Sequence, residues 1–316
     1  MIRSRRVVVA GIFSLAVLSP CLQAAAQGKK YRFGFSQVTT LEPWRVQFNK
    51  DMRAEAAKHP QVELVIADAG DRTDKQVADM DNFIAQKMDV IFISPKESAG
   101  LTGVVEKATK AGIPVFVLDR NVNGDSFAQY IGGDNVAIGR AAGQYIVKAL
   151  GGVGKAQGNL IEIWGNQGVQ AAHDRHNGVF ESVAKEPGIK LLNERVDIDW
   201  KQDKAYEYMK TMLRRFPKID VVYAQNDPMA YGAYLAAKDL GRANQIRFVG
   251  ADALPQEGAT WVLNGELAAT FLYPTPGAEG IRQALKMLKG EKIAKKVILD
   301  TEGVFPDNAK AFIAAH

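Results

Sequence analysis

The stretch from Val90 to Arg120, VIFISPKESAGLTGVVEKATKAGIPVFVLDR, decides how the whole chain is read. Two short apolar runs, VIFIS (90–94) and PVFVLD (114–119), flank a segment of helical periodicity. Neither run alternates with polar residues, so each predicts a strand covered on both faces. Two such strands joined through a helix make a βαβ unit, and that unit requires a parallel sheet. The second run ends in two charged residues, Asp119 and Arg120.

The same alternation extends in both directions. Further strand-length runs are FGF (33–35), VELVIA (62–67), LIEIW (160–164), VVYA (221–224), IRFVG (246–250) and LAATFLY (267–273). Between them lie helical stripes: Phe48, Met52 and Ala56; Val77, Met80 and Ile84; Ile138, Ala141, Ala142, Tyr145 and Leu150. Asp227 followed by Pro228 reads as an N-cap with proline at the first helical position. The pattern predicts an α/β chain with two Rossmann-like, doubly wound parallel-sheet domains of four to five strands each. The break between the halves falls near Gly132-Gly133-Asp134, with a long helix running from there to Leu150. No long flexible linker interrupts the chain, so short strand-like crossings join the domains.

The N-terminus predicts the compartment. MIRSRR is basic, VVVAGIFSLAVLS is an apolar run too short to span a membrane, and Ala24-Ala25-Ala26 supplies small residues before Gln27. That order is a secretory signal peptide, residues 1–26, cleaved near Ala26 for export to the periplasm. Ser4-Arg5-Arg6 reads as an ordinary basic leader rather than a twin-arginine signal, and Pro20 before Cys21 is a poor lipoprotein site. Cys21 is the single cysteine, so the exported chain holds itself together by its core alone. The net charge of +5 falls to about +2 without Arg3, Arg5 and Arg6 (37 basic against 35 acidic residues), which gives no support for nucleic-acid binding.

In open α/β sheets a ligand binds beyond the carboxyl ends of the strands. Asp119 and Arg120 stand there, as do Gln225-Asn226-Asp227, Asp252 and Tyr273; Glu42-Pro43-Trp44-Arg45 opens the first helix, and Arg175 follows strand 160–164. Carboxylates and guanidinium forks each engage neighbouring hydroxyls, an amide offers donor and acceptor together, and indoles such as Trp44 and Trp200 cover the C–H faces of a sugar ring. The set fits a polyol or sugar. Asp227 reads as a cap, Trp164 and Trp261 as structural, and Asp119-Arg120 by itself could be a loop ion pair. GGVGKA (151–156) lacks the spacing of a phosphate loop and reads as a surface turn. His173 and His176 lack a third metal ligand nearby and read as a solvated pair; no metal, cofactor or catalytic residue is expected.

These residues resemble a known family. GFSQV…PWR (34–45), PVFVLDR (114–120), GGDNVAIGRAAGQYI (132–146), AAHDRHNGVF (171–180), VVYAQNDPMAYGA (221–233), VGADALPQEG (249–258) and NGELAAT (264–270) are similar to the type I periplasmic sugar-binding proteins of ABC transporters, the ribose and galactofuranose group. The resemblance covers the mature chain. It implies two lobes, 27–133 plus 274–300 and 134–273 plus 301–316, joined by three crossings around a ligand cleft. It implies that Trp44 stacks on the sugar and Arg45 bonds a hydroxyl, with Asp119 and Arg120 as the main clamp. Arg175, Trp200, Asn226 and Asp252 close from the other lobe, and Tyr273 sits near a hinge. FSQV followed by Trp-Arg favours galactofuranose, with a pentose or another aldohexose next. Tyr273, Ala251 and Glu42 depart from residues common in that group. The implied protein is a monomer that hands a monosaccharide to a membrane permease, or signals to a chemoreceptor or sensor kinase. A repressor would carry a helix-turn-helix where the leader stands, and an exported enzyme a nucleophile and base.

Overall fold

The computed structural model describes residues 29–316, so the leader, its cleavage site and Cys21 lie outside the described residues. In chain order the first elements are β1 (Tyr31–Gln37), α1 (Pro43–Ala57), β2 (Val62–Asp68), α2 (Thr73–Ala85), β3 (Val90–Ile93), α3 (Ser98–Lys110), β4 (Val115–Leu118) and β5 (Gln129–Gly133). Then follow α4 (Asn135–Ala149), β6 (Gln157–Ile163), α5 (Gln170–Val183), β7 (Gly188–Leu191), α6 (Gln202–Arg215), β8 (Val221–Ala224), α7 (Asp227–Asp239) and β9 (Arg247–Val249). The chain closes with α8 (Gly258–Leu263), β10 (Thr270–Phe271), α9 (Gly277–Leu288), β11 (Lys296–Leu299), β12 (Gly303–Val304) and α10 (Ala309–Ala315).

These strands build a six-stranded sheet, β11-β5-β4-β3-β1-β2, and a four-stranded sheet, β7-β6-β8-β9, both parallel, with a small β10-β12 ribbon. In β3 and β4 every residue is buried, as unbroken apolar runs demand. Phe48 and Met52 on α1 are fully buried, and Phe48 lies 5.1 Å from the Phe35 ring of β1. Each such side chain contributes about 1.5–3 kcal/mol by leaving water. The chain passes between the two sheets three times: from β5 into α4, from β10 into α9, and from β11 into β12.

Several expectations change. The apolar run 267–273 is a strand only at Thr270–Phe271, where it pairs antiparallel with β12. Its remaining backbone groups are divided among other partners: Asp252 N–H donates to Phe271 O at 2.9 Å and Leu272 N–H to Glu302 O at 2.8 Å. The first sheet exceeds five strands because β5 and the edge strand β11 complete it. β11 carries a short apolar run, Val297–Leu299, and alternates exposed and half-buried residues with none fully buried. On α2, Met80 is buried with Phe83, Asp79 and Gln76, while Val77 and Ile84 are only half-buried.

The cap of α7 moves back one residue. Asn226 Oδ1 accepts from Met229 N–H at 3.0 Å, and Asp227 is the first helical residue. Asp227 instead accepts from Ala253 N–H at 2.7 Å and Thr270 Oγ1–H at 2.6 Å, tying α7 to the loop that carries Asp252. His173 and His176 are not solvated. His176 packs 4.6 Å from the Trp164 ring and its Nδ1 lies 2.7 Å from the buried Glu162 carboxylate; His173 Nε2 lies 2.9 Å from Gln167 O.

Candidate functional site

The first lobe's wall starts at the N-terminus of α1, where Pro43 sits in the first turn after Glu42 and directs Trp44 and Arg45 inward. Arg45 Nη1 donates to Asp119 Oδ2 at 2.7 Å and to Ser94 Oγ at 2.8 Å. Ser94 Oγ–H reaches the same Asp119 oxygen at 2.8 Å, and Tyr273 O–H donates to Asp119 Oδ1 at 2.7 Å. Asp119 therefore arrives at the cavity already bonded. Its tight charge partner is Arg45; Arg120 Nε stands 3.9 Å away and Arg120 Nη1 donates to Lys96 O at 3.2 Å. Burial works to raise the Asp119 carboxyl, but Arg45, Arg120 and the Tyr273 and Ser94 hydroxyls hold it below the ordinary carboxylate range. Trp44 stacks on Tyr273 with ring centroids 5.1 Å apart and donates its indole N–H to Tyr273 O at 2.8 Å.

The opposite wall is built on the second sheet. Arg175 on α5 is fixed from two sides: its Nε donates to Asn135 Oδ1 at 2.9 Å, and its Nη1 donates to Gln225 O. The close approach of α4 and α5 makes this possible, since a Cβ at Gly139 would meet Arg175 O at 2.2 Å. Trp200 lies between the Arg120 and Arg175 guanidiniums, each 5.5 Å from its ring. Its indole N–H is buried without a partner among the described residues. A Cβ at Gly165 would strike the Trp200 ring at 2.4 Å, so that position has to be glycine for the ring to sit there. Asn226 spends its Oδ1 on the α7 cap and turns Nδ2 toward Trp200 O at 3.3 Å.

Asp252 differs from all of these. No described residue donates a hydrogen bond to its carboxylate, and burial together with the Asp227, Glu257 and Asp119 charges pushes it well above the ordinary range despite Arg175. Asp119, Trp200 and Asp252 have φ of 65°, 64° and 132°, conformations that side-chain-bearing residues adopt at a cost. Such strain gathers where function over-determines geometry.

All nine residues proposed from the sequence line a single cavity, together with Glu42 and Ala171. The nine are only 2% to 8% exposed, so the two lobes are closed on one another. A profile of the periplasmic binding protein domain matches residues 33–292. The chain is 32% identical to a ribose import binding protein of Salmonella typhimurium over 294 residues, 92% of this chain and 96% of that protein. It belongs to the type I periplasmic sugar-binding proteins.

The galactofuranose-binding protein of Escherichia coli strain K12 is 29% identical, with 94% of each chain covered. The fructose-binding periplasmic domain of a hybrid two-component system is a structural neighbour at 39% identity and TM-score 0.86, covering 90% of this chain and 94% of that one. In this sugar-binding protein the reading of the sequence missed three contributors to the site. Ser94 stands at the carboxyl end of β3, where the rule that found Asp119 also points. Glu42 was read as a helix opener and as a departure from the group's usual residue, but not as a site residue. Ala171 carries no chemical signal in sequence. Among the described residues no group of His, Cys, Asp and Glu is arranged to hold a metal.

Proposed function

We propose that the protein captures one monosaccharide between its lobes, leaves it chemically unchanged and delivers it to an ABC transporter permease. The observation that carries this reading is the closed cavity itself. Two indoles, three guanidiniums, three carboxylates, a phenol and an amide converge from both lobes on one cavity. Such a set bonds hydroxyls and covers ring C–H faces. A sugar held by both lobes stabilises the closed arrangement over the open one, and that difference shifts the population. The ligand-binding residues are Trp44, Arg45, Asp119, Arg120, Arg175, Trp200, Asn226, Asp252 and Tyr273.

A furanose is the first choice, as in the galactofuranose-binding relative, with a pentose or another aldohexose next. The lobes comprise 27–133 plus 274–300 and 134–273 plus 301–316, a division supported by β11 joining β5 and β12 joining β10. The mature protein acts as a monomer in the periplasm after cleavage near Ala26. A second reading, supported by the likeness to a two-component system's fructose-binding domain, has the closed form signal to a sensor kinase.

A thermal-shift screen of monosaccharides and polyols tests the proposal. A cognate sugar at a hundred times Kd adds about 2.7 kcal/mol to stability. A melting point moved by amino acids or purines but by no sugar overturns it.

A further inference from the structure

The cavity mouth is shut by a cluster of charges of which only Glu42 lines the cavity. Lys96, in the loop after β3, donates to Asp199 of the β7–α6 loop at 2.8 Å and pairs with Asp71 at 2.8 Å. Lys201, also from the β7–α6 loop, reaches back to Glu42 at 2.6 Å and to Asp71 at 3.1 Å. Asp71 thus stands between two lysines from opposite lobes. Asn166 Nδ2 supports Asp199 at 2.9 Å, and Ser98 N–H crosses the same seam to Gly168 O at 3.3 Å. Lys96 keeps only 10% of its side chain exposed, Asp199 18% and Lys201 26%, so these pairs are screened less than surface ones.

The pairs also govern what faces the ligand. Asp199 and Trp200 are consecutive residues with φ of 54° and 64°, so holding the Asp199 carboxylate fixes the turn that presents the Trp200 ring. Lys201 holds Glu42, the acid that lines the cavity beside Arg45. Burial works to raise Asp199, yet Lys96, Asn166 and Lys201 hold it below the ordinary range. Burial likewise works to lower Lys201, and Glu42 and Asp71 raise it.

We propose that Lys96 and Lys201 are positioning residues for sugar capture: they touch no sugar, but their ion pairs across the mouth latch the closed form and seat Trp200 and Glu42. The inference rests on the sugar-binding reading and adds a property that reading does not require. Binding of an uncharged ligand ordinarily responds little to salt; here the closed form alone carries three interlobe ion pairs, Lys96–Asp199, Lys201–Glu42 and Lys201–Asp71. Affinity therefore falls as ionic strength rises.

The test uses the mature chain with D-galactose, D-fructose and D-ribose as probes. For each sugar that binds, calorimetry and stopped-flow fluorescence follow Kd and the dissociation rate from about 20 mM to about 500 mM salt. Wild type weakens by roughly threefold over that range, and Lys201→Met binds on the order of tenfold more weakly, through faster release, with the salt dependence reduced. Lys201→Arg retains most of the affinity and the salt response. Lys204→Met, removing a more exposed lysine 3.9 Å from Asp199, changes neither. Carbodiimide crosslinking with peptide mapping adds a readout independent of sugar identity: Lys201–Glu42 and Lys96–Asp199 links form. Lys201→Met with wild-type affinity and an unaltered salt response overturns the latch while leaving the sugar reading intact. If none of the probes or the screened sugars binds, the sugar reading fails, and absence of both crosslinks then overturns the latch as well.

Discussion

The Asp119 carboxylate accepts from Arg45, Ser94 and Tyr273, whereas across the cavity the Asp252 carboxylate accepts from none of the described residues. Asp119 is held below the usual carboxylate range; Asp252 is pushed well above it. One wall is wired before a ligand arrives; the other leaves the Asp252 carboxylate without an internal donor and the buried Trp200 indole N–H without a partner among the described residues. A buried polar group without a partner costs roughly 1–3 kcal/mol. Under the proposed function, a sugar hydroxyl that reaches the second wall relieves that cost, and this wall gains most from closure. The first wall supplies shape and fixed charge.

The largest effect that tests this contrast comes from Asp119→Ala. It leaves Arg45 buried without its partner, and breaking a buried pair costs about 3–5 kcal/mol. Because the partners are all in the protein, denaturant unfolding without ligand registers the loss, and calorimetry registers weaker binding as well. An unchanged unfolding midpoint would show that the first wall is not prewired. Asp252→Asn is expected to behave differently. Sugar binding weakens by roughly 1.5–3 kcal/mol, the worth of a hydrogen bond to a charged group. Stability without ligand does not fall, since no internal partner is lost. Equal losses in both measurements would erase the distinction between the walls.

The smallest effect concerns pH. Asp227, buried and bonded to Thr270 and Ala253, is raised to about 6, and Glu257 to about 7, in both cases mainly by burial. A carboxyl raised by folding keeps a proton that the unfolded chain releases. Its contribution is complete below the unfolded value near pH 4 and is lost as pH rises through about 6 to 7. Asp119 has the opposite sign: its contribution is present above that unfolded value and is lost as pH falls through its lower folded one. Between pH 5 and pH 7.5, then, only the second lobe weakens. Asp227 alone accounts for a loss of about 1–2 kcal/mol over that window in the unliganded chain, and Asp227→Asn is expected to remove that share and make the profile shallower. A variant profile as steep as the wild type's would remove Asp227 from this role.

Legibility in sequence followed locality. β3 and β4 were readable because continuous burial leaves an unbroken apolar run. β11 was not, because its apolar run is only three residues long and, at the sheet edge, none of it is fully buried. The cap at Asn226 was misplaced by one residue, since Asn-Asp-Pro offers two capping side chains and only the packing of the Asp252 loop decides between them. Trp200 and Asp252 could be named from sequence, but their strained backbone and missing partners could not.

The sequence by itself determined the α/β alternation, the two doubly wound sheets and the residue types that a sugar site needs. Each follows from unbroken apolar runs and the 3.6-residue helical period, or from chemistry at a strand's end. The tertiary structure alone decided that Arg45 rather than Arg120 is the direct hydrogen-bonded partner of Asp119, that Tyr273 bonds that carboxylate from a crossing segment, and that lysines from both lobes meet at Asp71. Those contacts join residues as far as 154 positions apart. Pairing over such separations is set by how two packed lobes meet, and short-range patterns carry no record of it.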